Sequence, residues 1–221
     1  MELVKLNISN VVLAPDLPGI YAWYAEVQLG QQDWVQQFEG DEDVGERRLR
    51  DVLDSFGYLL TRQRLSVEAR SHFSTRWRGD LEEYIHSRVA SANSKLYAST
   101  LEDSERRELL VSVISAASPV FAHPLYIGVA DSLRVRLRQH SDEYFGLREA
   151  QRESPSDFED YTNEQNFAQR AFRLGLKEEH LSVFFKPIEV TGNLDREAIR
   201  QTLEAAEGLL NRWSMPLLGR K

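Results

Sequence analysis

The sequence predicts a fold that combines a few short strands with longer helices. Three stretches, at 19–27, 124–128 and 181–190, are rich in the aromatic and branched residues that favour strands. Elsewhere apolar residues recur at steps of three and four, which is the period of a helix with one buried face. Prolines and glycines separate the two kinds of stretch. Together these observations predict a small sheet flanked by helices.

The composition is that of a globular protein and excludes some kinds of site. Of the 221 residues, 42% are hydrophobic, 28% are charged and none is cysteine, which excludes disulfides and thiolate metal sites. No apolar run approaches the roughly 20 residues of a membrane helix, and the N-terminus lacks the pattern of a signal peptide. We therefore expect a cytoplasmic protein with no membrane partner. The net charge of -8 argues against a general nucleic-acid binder but leaves room for a local basic cleft.

The first half of the chain contains one strand followed by a long region without strand-like stretches. Pro15 and Pro18 mark a loop before the strand at 19–27, whose aromatic residues, taken alone, are best explained as core. Residues 28–45 are polar and contain glycines, which predicts a loop. Helical periodicity then appears at three places: 46–60, 81–96 and 101–117. An arginine-containing segment lies between the first two of these helices.

The residues that follow Leu125 predict a strand, a tight turn and a helix. Gly128 is expected to end the strand and let the backbone turn. Ser132 stands where a helix N-cap belongs, just before an apolar-periodic run. Residues 141–160 are acidic and polar, contain a proline, and predict a surface loop.

Arg136 and His140 are the first candidate functional pair. They lie four residues apart, so they are neighbours on the surface of the predicted helix, at the border of its buried face. A guanidinium beside an imidazole suits the binding of a phosphodiester. The alternative interpretation is a basic helix face whose arginines are simply solvated.

The last helix, predicted at 194–213, carries a candidate metal ligand. Another helix, at 163–176, and the third strand precede it. Its apolar stripe comprises Ile199, Leu203, Ala206, Leu210 and Trp213. At about 100° per residue, Glu207 lies about 80° from Ile199, at the edge of the stripe, and Glu204 lies about 140° away, toward solvent. A carboxylate at such a rim suits a divalent cation, whereas the alternative is an ordinary surface glutamate.

Three features together resemble the GIY-YIG nuclease family. Gly19-Ile20-Tyr21 and Tyr126-Ile127-Gly128 resemble the two halves of its signature, in the right order. Arg136 and His140 follow the second half at spacings like those of the family's first helix. Glu207 is followed nine residues later by Pro216, as in the family's last helix. The resemblance covers roughly residues 17–27 and 124–219. It implies an α+β fold with a small three-stranded antiparallel sheet flanked by helices, and hydrolysis of phosphodiester bonds with one divalent metal.

The resemblance also assigns a role to each residue. Tyr21 would be the general base or would orient the attacking water, and Tyr126 would help to hold the water or the phosphate. Arg136 would neutralise charge on the phosphate in the transition state. His140 would bind a phosphate oxygen or relay a proton. Glu207 would hold Mg²⁺ or Mn²⁺. A tyrosine base needs its pKa lowered from about 10, which a nearby metal and arginine would favour.

The sequence departs from the family pattern in two ways, and the first defines the expected domains. About a hundred residues separate the two tripeptides, which are usually joined by a short hairpin. We therefore expect a catalytic domain formed by 1–27 and 121–221, with a mostly helical subdomain inserted at 28–120. In addition, Gly219 stands near the place where the family commonly has an asparagine, so the supporting hydrogen bond of that side chain is expected to be missing.

Four further arginines are candidates for nucleic-acid binding. Arg134 and Arg138 lie on the outer face of the predicted catalytic helix, and Arg76 and Arg78 lie in the insertion beside aromatic residues. The alternative for the insertion is that its arginines pair with its own acidic residues.

The function predicted from the residues and the resemblance is a metal-dependent endonuclease acting on DNA, of the restriction, repair or mobile-element type. Two alternatives remain open: a catalytically degenerate module that binds nucleic acid or protein, and a ribonuclease. A homodimer is also left open.

Overall fold

The computed structural model describes most of the chain, with its backbone given at residues 3–61, 66–70, 76–80, 96–153, 166–189 and 195–219. Side chains are described for these residues except 58–61, 66–70, 76–80 and 119–121. The chain divides into two compact units, one formed by Met1–Gln28 and Ala117–Lys221, the other by Leu29–Ala116.

The described residues form eight strands and seven helices. The strands are β1 (Val4–Asn7), β2 (Gly19–Ala25), β3 (Phe38–Glu39), β4 (Glu42–Asp43), β5 (Ser66–Arg70), β6 (Arg76–Asp80), β7 (Tyr126–Ala130) and β8 (Leu181–Pro187). The helices are α1 (Gln31–Trp34), α2 (Val44–Thr61), α3 (96–102), α4 (Ser104–Phe121), α5 (Leu133–Glu153), α6 (Phe167–Arg173) and α7 (Arg196–Ser214). Short 3₁₀ turns occupy Ile8–Leu13 and Glu178–His180. None of the described helices is both long and apolar enough to cross a membrane.

The first unit is built on an antiparallel sheet with the strand order β1-β8-β2-β7. The α+β class and the three expected strands are present, but the sheet has four strands where three were expected. The additional strand, β1, is short and mostly exposed. Its residues Val4, Lys5, Leu6 and Asn7 alternate between apolar and polar, but a run of four is too short to predict a strand by itself.

One face of this sheet carries the aromatic core of the first unit. Alternate residues of β2 are buried, so Tyr21 and Trp23 point to the same side. The strand register places Tyr21 opposite Gly128 and Trp23 opposite Tyr126. Phe167, at the start of α6, stacks on Trp23 with ring centroids 5.0 Å apart. The candidate residues of β2 and β7 therefore share one packed surface.

Helix α5 is longer than expected, because it continues through most of the segment predicted as a loop. Two polar side chains on its buried side bond to main-chain carbonyls. Ser141 Oγ donates to the carbonyl of Ile8 at 3.1 Å, and the buried Tyr144 hydroxyl donates to the carbonyl of Leu176 at 2.6 Å. The prediction of a loop at 141–160 is thus wrong as far as Glu153. The rest of that prediction falls on 154–160, outside the described residues.

Helix α7 begins and ends within two residues of its predicted bounds, but its last turn is not buried as expected. The Asp195 side chain caps it by accepting from Ala198 N, and Ile199 and Leu203 are buried as expected. Trp213 was expected in the same stripe, but it is 70% exposed. The apolar period of the sequence therefore continues one turn beyond the buried part of the helix.

The second unit has its own small core and differs from the sequence prediction in three places. A cluster of its buried apolar residues comprises Leu49, Leu101 and Val111. The expected loop at 28–45 contains α1 and the hairpin β3–β4, and the arginine-containing segment contains the hairpin β5–β6. Helix α4 continues through Pro119 to Phe121, beyond its expected end. Most of the helix predicted at 81–96 lies outside the described residues.

Gly128 does not end its strand, as was expected, but lies within β7. Its role is spatial. A Cβ atom at this position would lie 2.7 Å from the Tyr21 hydroxyl and 2.8 Å from an atom of the Tyr126 ring. Only a residue without a side chain leaves room for these two rings on the sheet surface.

We expect Gly128→Ala to destabilise the protein by about 1–3 kcal/mol, because the buried rings of Tyr21 and Tyr126 would have to move. Urea unfolding measures this loss. Gly146→Ala is the matched control, since its Cβ would meet nothing within 4 Å on the exposed side of α5. The control is expected to gain up to about 1 kcal/mol from helix propensity. Equal stability of the two variants would contradict the spatial role of Gly128.

Candidate functional site

Four of the five candidate catalytic residues meet on the packed face of the sheet. Tyr21 comes from β2, Tyr126 from β7, and both Arg136 and His140 from α5. The Tyr21 hydroxyl lies 2.9 Å from His140 Nε2 and 3.4 Å from Arg136 Nε. The two tyrosine rings have centroids 6.1 Å apart. The fold thus brings together residues more than a hundred positions apart in the sequence.

Hydrogen-bond chemistry sets the direction of the bond between Arg136 and Tyr21. A guanidinium can only donate, so the Tyr21 oxygen accepts from Arg136. The direction of the bond to His140 depends on the tautomer of the imidazole. With the imidazole proton on Nδ1, Tyr21 donates to His140 Nε2; Nδ1 is a buried atom without a hydrogen-bond partner in the described part of the chain. Tyr21 is therefore a link between a cation and a neutral imidazole.

The pKa of Tyr21 is raised, opposite to the direction that a tyrosine base requires. Burial is the largest cause, and the neighbouring Tyr126 and the charge of Glu207 act in the same direction. The hydrogen bond and charge of Arg136 oppose them only in part. Tyr21 is therefore an uncharged phenol at neutral pH, and it needs an acceptor for its proton if it is to act as a base.

His140 is fully enclosed, with 1% of its surface exposed, whereas the sequence placed it at the border of the buried face. Its ring lies edge-on to Phe167, with centroids 5.4 Å apart. Burial, followed by the charges of Arg136 and Arg170, lowers the pKa of His140 to about 3. A neutral, enclosed imidazole suits proton relay through Tyr21 and does not suit direct binding of a phosphate.

Arg136 remains a cation in this environment. Partial burial alone would lower its pKa, but the hydrogen bond to Tyr21, together with the neighbouring Tyr126, raises the pKa above its ordinary value. Arg136 also donates from Nη1 to the Gln139 side chain at 3.2 Å and has a side-chain hydrogen bond with Tyr126. The guanidinium is half-buried, so part of it faces outward from the site.

Glu207 lies half-buried on α7, and its charge acts on the Tyr21 hydroxyl. Glu204 is exposed and accepts a bond of 2.9 Å from Arg200 Nε, as its predicted position toward solvent implies. Within the described ranges, no group of three or more histidines and acidic residues could hold a metal. Mg²⁺ is often held by one or two carboxylates, with water and phosphate oxygens as its other ligands. The single carboxylate of Glu207 fits that kind of binding.

The other predicted nucleic-acid contacts have varied surroundings. The guanidinium of Arg134 donates to the carbonyl of Ala14 at 2.9 Å and so supports the loop before β2. Arg138 is exposed and pairs with Asp142 at 3.5 Å. Arg76 and Arg78 lie on β6, but their side chains are outside the described part of the chain. Their predicted role stays a prediction.

The sequence did not single out α6 as part of the site. Phe167 packs against His140, and the Arg170 guanidinium carbon lies 5.9 Å from the centroid of the Tyr126 ring. The helix itself was predicted, but nothing in its pattern says which surface it covers. The local signal in the sequence is Asn166, whose side chain caps the helix by accepting from Gln169 N. It marks where the helix begins and not what the helix packs against.

The segment after α7 is tied to β7 by its main chain. Leu217 N donates to the carbonyl of Pro124 at 3.1 Å, and Leu218 N donates to that of Leu125 at 2.6 Å. The carbonyl of Gly219 accepts a bond of 3.3 Å from Arg170 Nη1. The side-chain hydrogen bond of the asparagine that the family commonly has near this place was expected to be missing. Arg170 instead supports the main chain of Gly219.

The chain was compared with family models, curated proteins and solved structures, and none of them matches it. The likeness to GIY-YIG nucleases therefore rests on the motif residues, and the function has to be inferred from the chemistry of their arrangement.

We expect the buried His140 to make the protein sensitive to acid. The folded protein keeps His140 neutral down to pH about 3, whereas the unfolded chain takes up the proton near 6.5. The stability from this residue is thus fully present above pH 6.5 and is lost as the pH falls toward 3, by about 1.4 kcal/mol per unit.

Urea unfolding at several pH values between 6.5 and about 4 measures this slope. His140→Gln should lower stability overall but flatten its decline with acid. His123→Gln, which changes an exposed side chain, should keep the wild-type slope. A slope that is the same in all three proteins would show that His140 does not cause it.

Proposed function

We propose that this protein is a metal-dependent endonuclease of the GIY-YIG type, hydrolysing phosphodiester bonds, with DNA as the first substrate to test. The observation that carries the proposal is the contact of one phenol with two different groups. The Tyr21 hydroxyl lies within reach of a neutral imidazole, His140, and a cation, Arg136. A proton acceptor beside a positive charge is what hydrolysis of a phosphodiester by water requires.

The proton path follows from these contacts. The attacking water gives a proton to the Tyr21 oxygen while Tyr21 passes its own proton to His140 Nε2. Because the raised pKa of Tyr21 disfavours a free phenolate, the two proton transfers have to be concerted. The low pKa of His140 makes its protonation costly, so the transfer has to be coupled to attack on the phosphate. Because His140 is enclosed, it returns the proton through Tyr21 to the departing oxygen of the cleaved strand.

Arg136 stabilises the negative charge that develops on the phosphate. Its guanidinium is held beside Tyr21, where the water would be activated, and it remains charged at all relevant pH values. A guanidinium presents several parallel N–H donors to the oxygens of a phosphate. The residue that orients the tyrosine would therefore also hold the group under attack.

Glu207 would hold the divalent cation, Mg²⁺ or Mn²⁺. When bound, the cation supplies positive charge to the phosphate oxygens and to the leaving group. The carboxylate is half-buried and interacts electrostatically with Tyr21, which places it near the water-activating end of the site. Glu204 points away and is occupied by Arg200.

Within this proposal, β2, β7 and β8 are the three strands of the nuclease sheet, and β1 is an addition beside β8. The catalytic domain would comprise 1–27 and 121–221. The inserted subdomain, 28–120, would supply target recognition, because the catalytic residues contact the backbone of a nucleic acid and carry little information about its sequence.

The proposal is tested by incubating the protein with supercoiled plasmid and with RNA, each with Mg²⁺, Mn²⁺ or EDTA. We expect nicking of the plasmid that requires metal. Glu207→Gln should abolish the nicking while leaving the thermal unfolding unchanged, and the exposed Glu204→Gln should retain nearly all activity. Cleavage of RNA alone would make the protein a ribonuclease. If neither polymer is cleaved with any metal, the proposal of a nuclease is wrong.

We expect Arg136→Ala to lower the rate of nicking by at least about a hundredfold, as the loss of charge stabilisation in a transition state does. Arg138→Ala removes a cation of the same helix that is exposed and paired with Asp142. This control should change only the affinity, modestly and in a salt-dependent way. The measurement is the single-turnover rate at saturating protein. Equal losses of the nicking rate in the two variants would show that α5 acts only as a general basic surface.

A further inference from the structure

Helix α6 is fixed in place next to the candidate site. The side chain of Asn166 caps its N-terminus by accepting from Gln169 N at 2.9 Å. Phe167 is buried, stacks on Trp23 and packs edge-on against His140. Because these contacts hold the first turn, the residue one turn later has a defined position.

That residue is Arg170, and its guanidinium makes contacts with two parts of the chain. Its central carbon lies 5.9 Å from the centroid of the Tyr126 ring, within the range of a cation–π interaction. Its Nη1 donates to the carbonyl of Gly219 at 3.3 Å. Arg170 therefore joins the ring of a candidate catalytic tyrosine to the segment that follows α7.

The segment after α7 is connected to two candidate catalytic residues, Tyr126 and Glu207. The segment after α7 pairs by its main chain with Pro124 and Leu125, the two residues before Tyr126. The same segment continues from α7, which carries Glu207. Movement of this segment would therefore disturb the backbone at Tyr126 and the end of the helix that holds the carboxylate.

We propose that Arg170 is a positioning residue for the hydrolysis proposed above: its planar guanidinium holds the Tyr126 ring and the Gly219 carbonyl together and so fixes β7 and the end of α7 relative to each other. The inference rests on the proposed function for its catalytic consequence, but the structural link can be measured separately. In support, the charge of Arg170 also helps to keep the pKa of His140 low.

The shape of the side chain matters as well as its charge. A guanidinium can lie over a ring while its N–H groups donate in the same plane. The ammonium of lysine is a compact charge and cannot reproduce both contacts in this geometry. Arg170→Lys therefore separates positioning from simple charge, and Arg173→Gln, an exposed arginine of the same helix, is the matched control.

The first measurement does not depend on activity. Hydrogen exchange of the Leu218 amide, which donates to Leu125, reports whether the segment after α7 stays docked. We expect exchange to become about tenfold faster in Arg170→Lys and Arg170→Gln, the order expected for one lost hydrogen bond, and to be unchanged in Arg173→Gln. Unchanged exchange in both Arg170 variants would overturn the inference.

The second measurement separates kcat from KM in the metal-dependent nicking of plasmid. A positioning residue does not touch the substrate, so kcat should fall at least about tenfold in both Arg170 variants while KM stays within about threefold. A rise in KM with kcat unchanged would show that Arg170 binds the nucleic acid itself and would overturn the inference. Full activity of Arg170→Lys would overturn it as well, because charge alone would then suffice.

The two measurements keep the failures of the inference and of the proposed function distinguishable. If the wild-type protein cleaves no nucleic acid, the proposed function is wrong, and the exchange of Leu218 still decides whether Arg170 holds the segment. If the wild-type protein cleaves plasmid and Leu218 exchange is unaffected in the variants, the nuclease stands and the positioning role of Arg170 is wrong.

Discussion

The hydrogen bond between Tyr21 and His140 is the contact on which the arrangement of the site depends. It joins the central part of the sheet to α5 across 119 residues of sequence, and both partners are buried. The close approach is possible because Gly128 leaves the surface of β7 bare beneath the Tyr21 ring. An uncharged phenol and an uncharged imidazole can share such an enclosed position, because neither requires water around it. The cation of Arg136 then reaches the same oxygen from the outer side.

Much of this arrangement could be predicted from the sequence, because several signals agreed. Strand composition located β2, β7 and β8 to within a few residues, and the four-residue spacing of Arg136 and His140 placed both on one side of α5. Helical phase also separated Glu207 from Glu204. Burial was less predictable: the same spacing placed His140 at a border, whereas Phe167 of α6, together with three rings of the sheet, encloses it. Periodicity describes one element and does not show which neighbour will pack on it.

The features that sequence reasoning missed depend on contacts between distant segments. Strand β1 is identified by its pairing with β8, since an alternation of only four residues is too short to predict a strand. The extension of α5 is stabilised by Tyr144, whose hydroxyl bonds to a carbonyl that precedes β8. In the sequence, Arg170 is one polar residue of an amphipathic helix, and nothing nearby shows that its guanidinium contacts Tyr126 and Gly219. In each case the deciding partner is a main-chain atom or a ring from another part of the fold, which no local pattern contains.

The pairing of β2 with β7 has a consequence for how the chain folds. Trp23 and Tyr126 are partners in the sheet although 103 positions separate them, and everything between them is one long connection. Closing so long a connection is entropically costly before any contact forms. Residues 29–116 make a compact unit of their own, which shortens the effective connection once that unit has folded. The second unit thus affects the rate at which the site assembles, quite apart from anything that it binds.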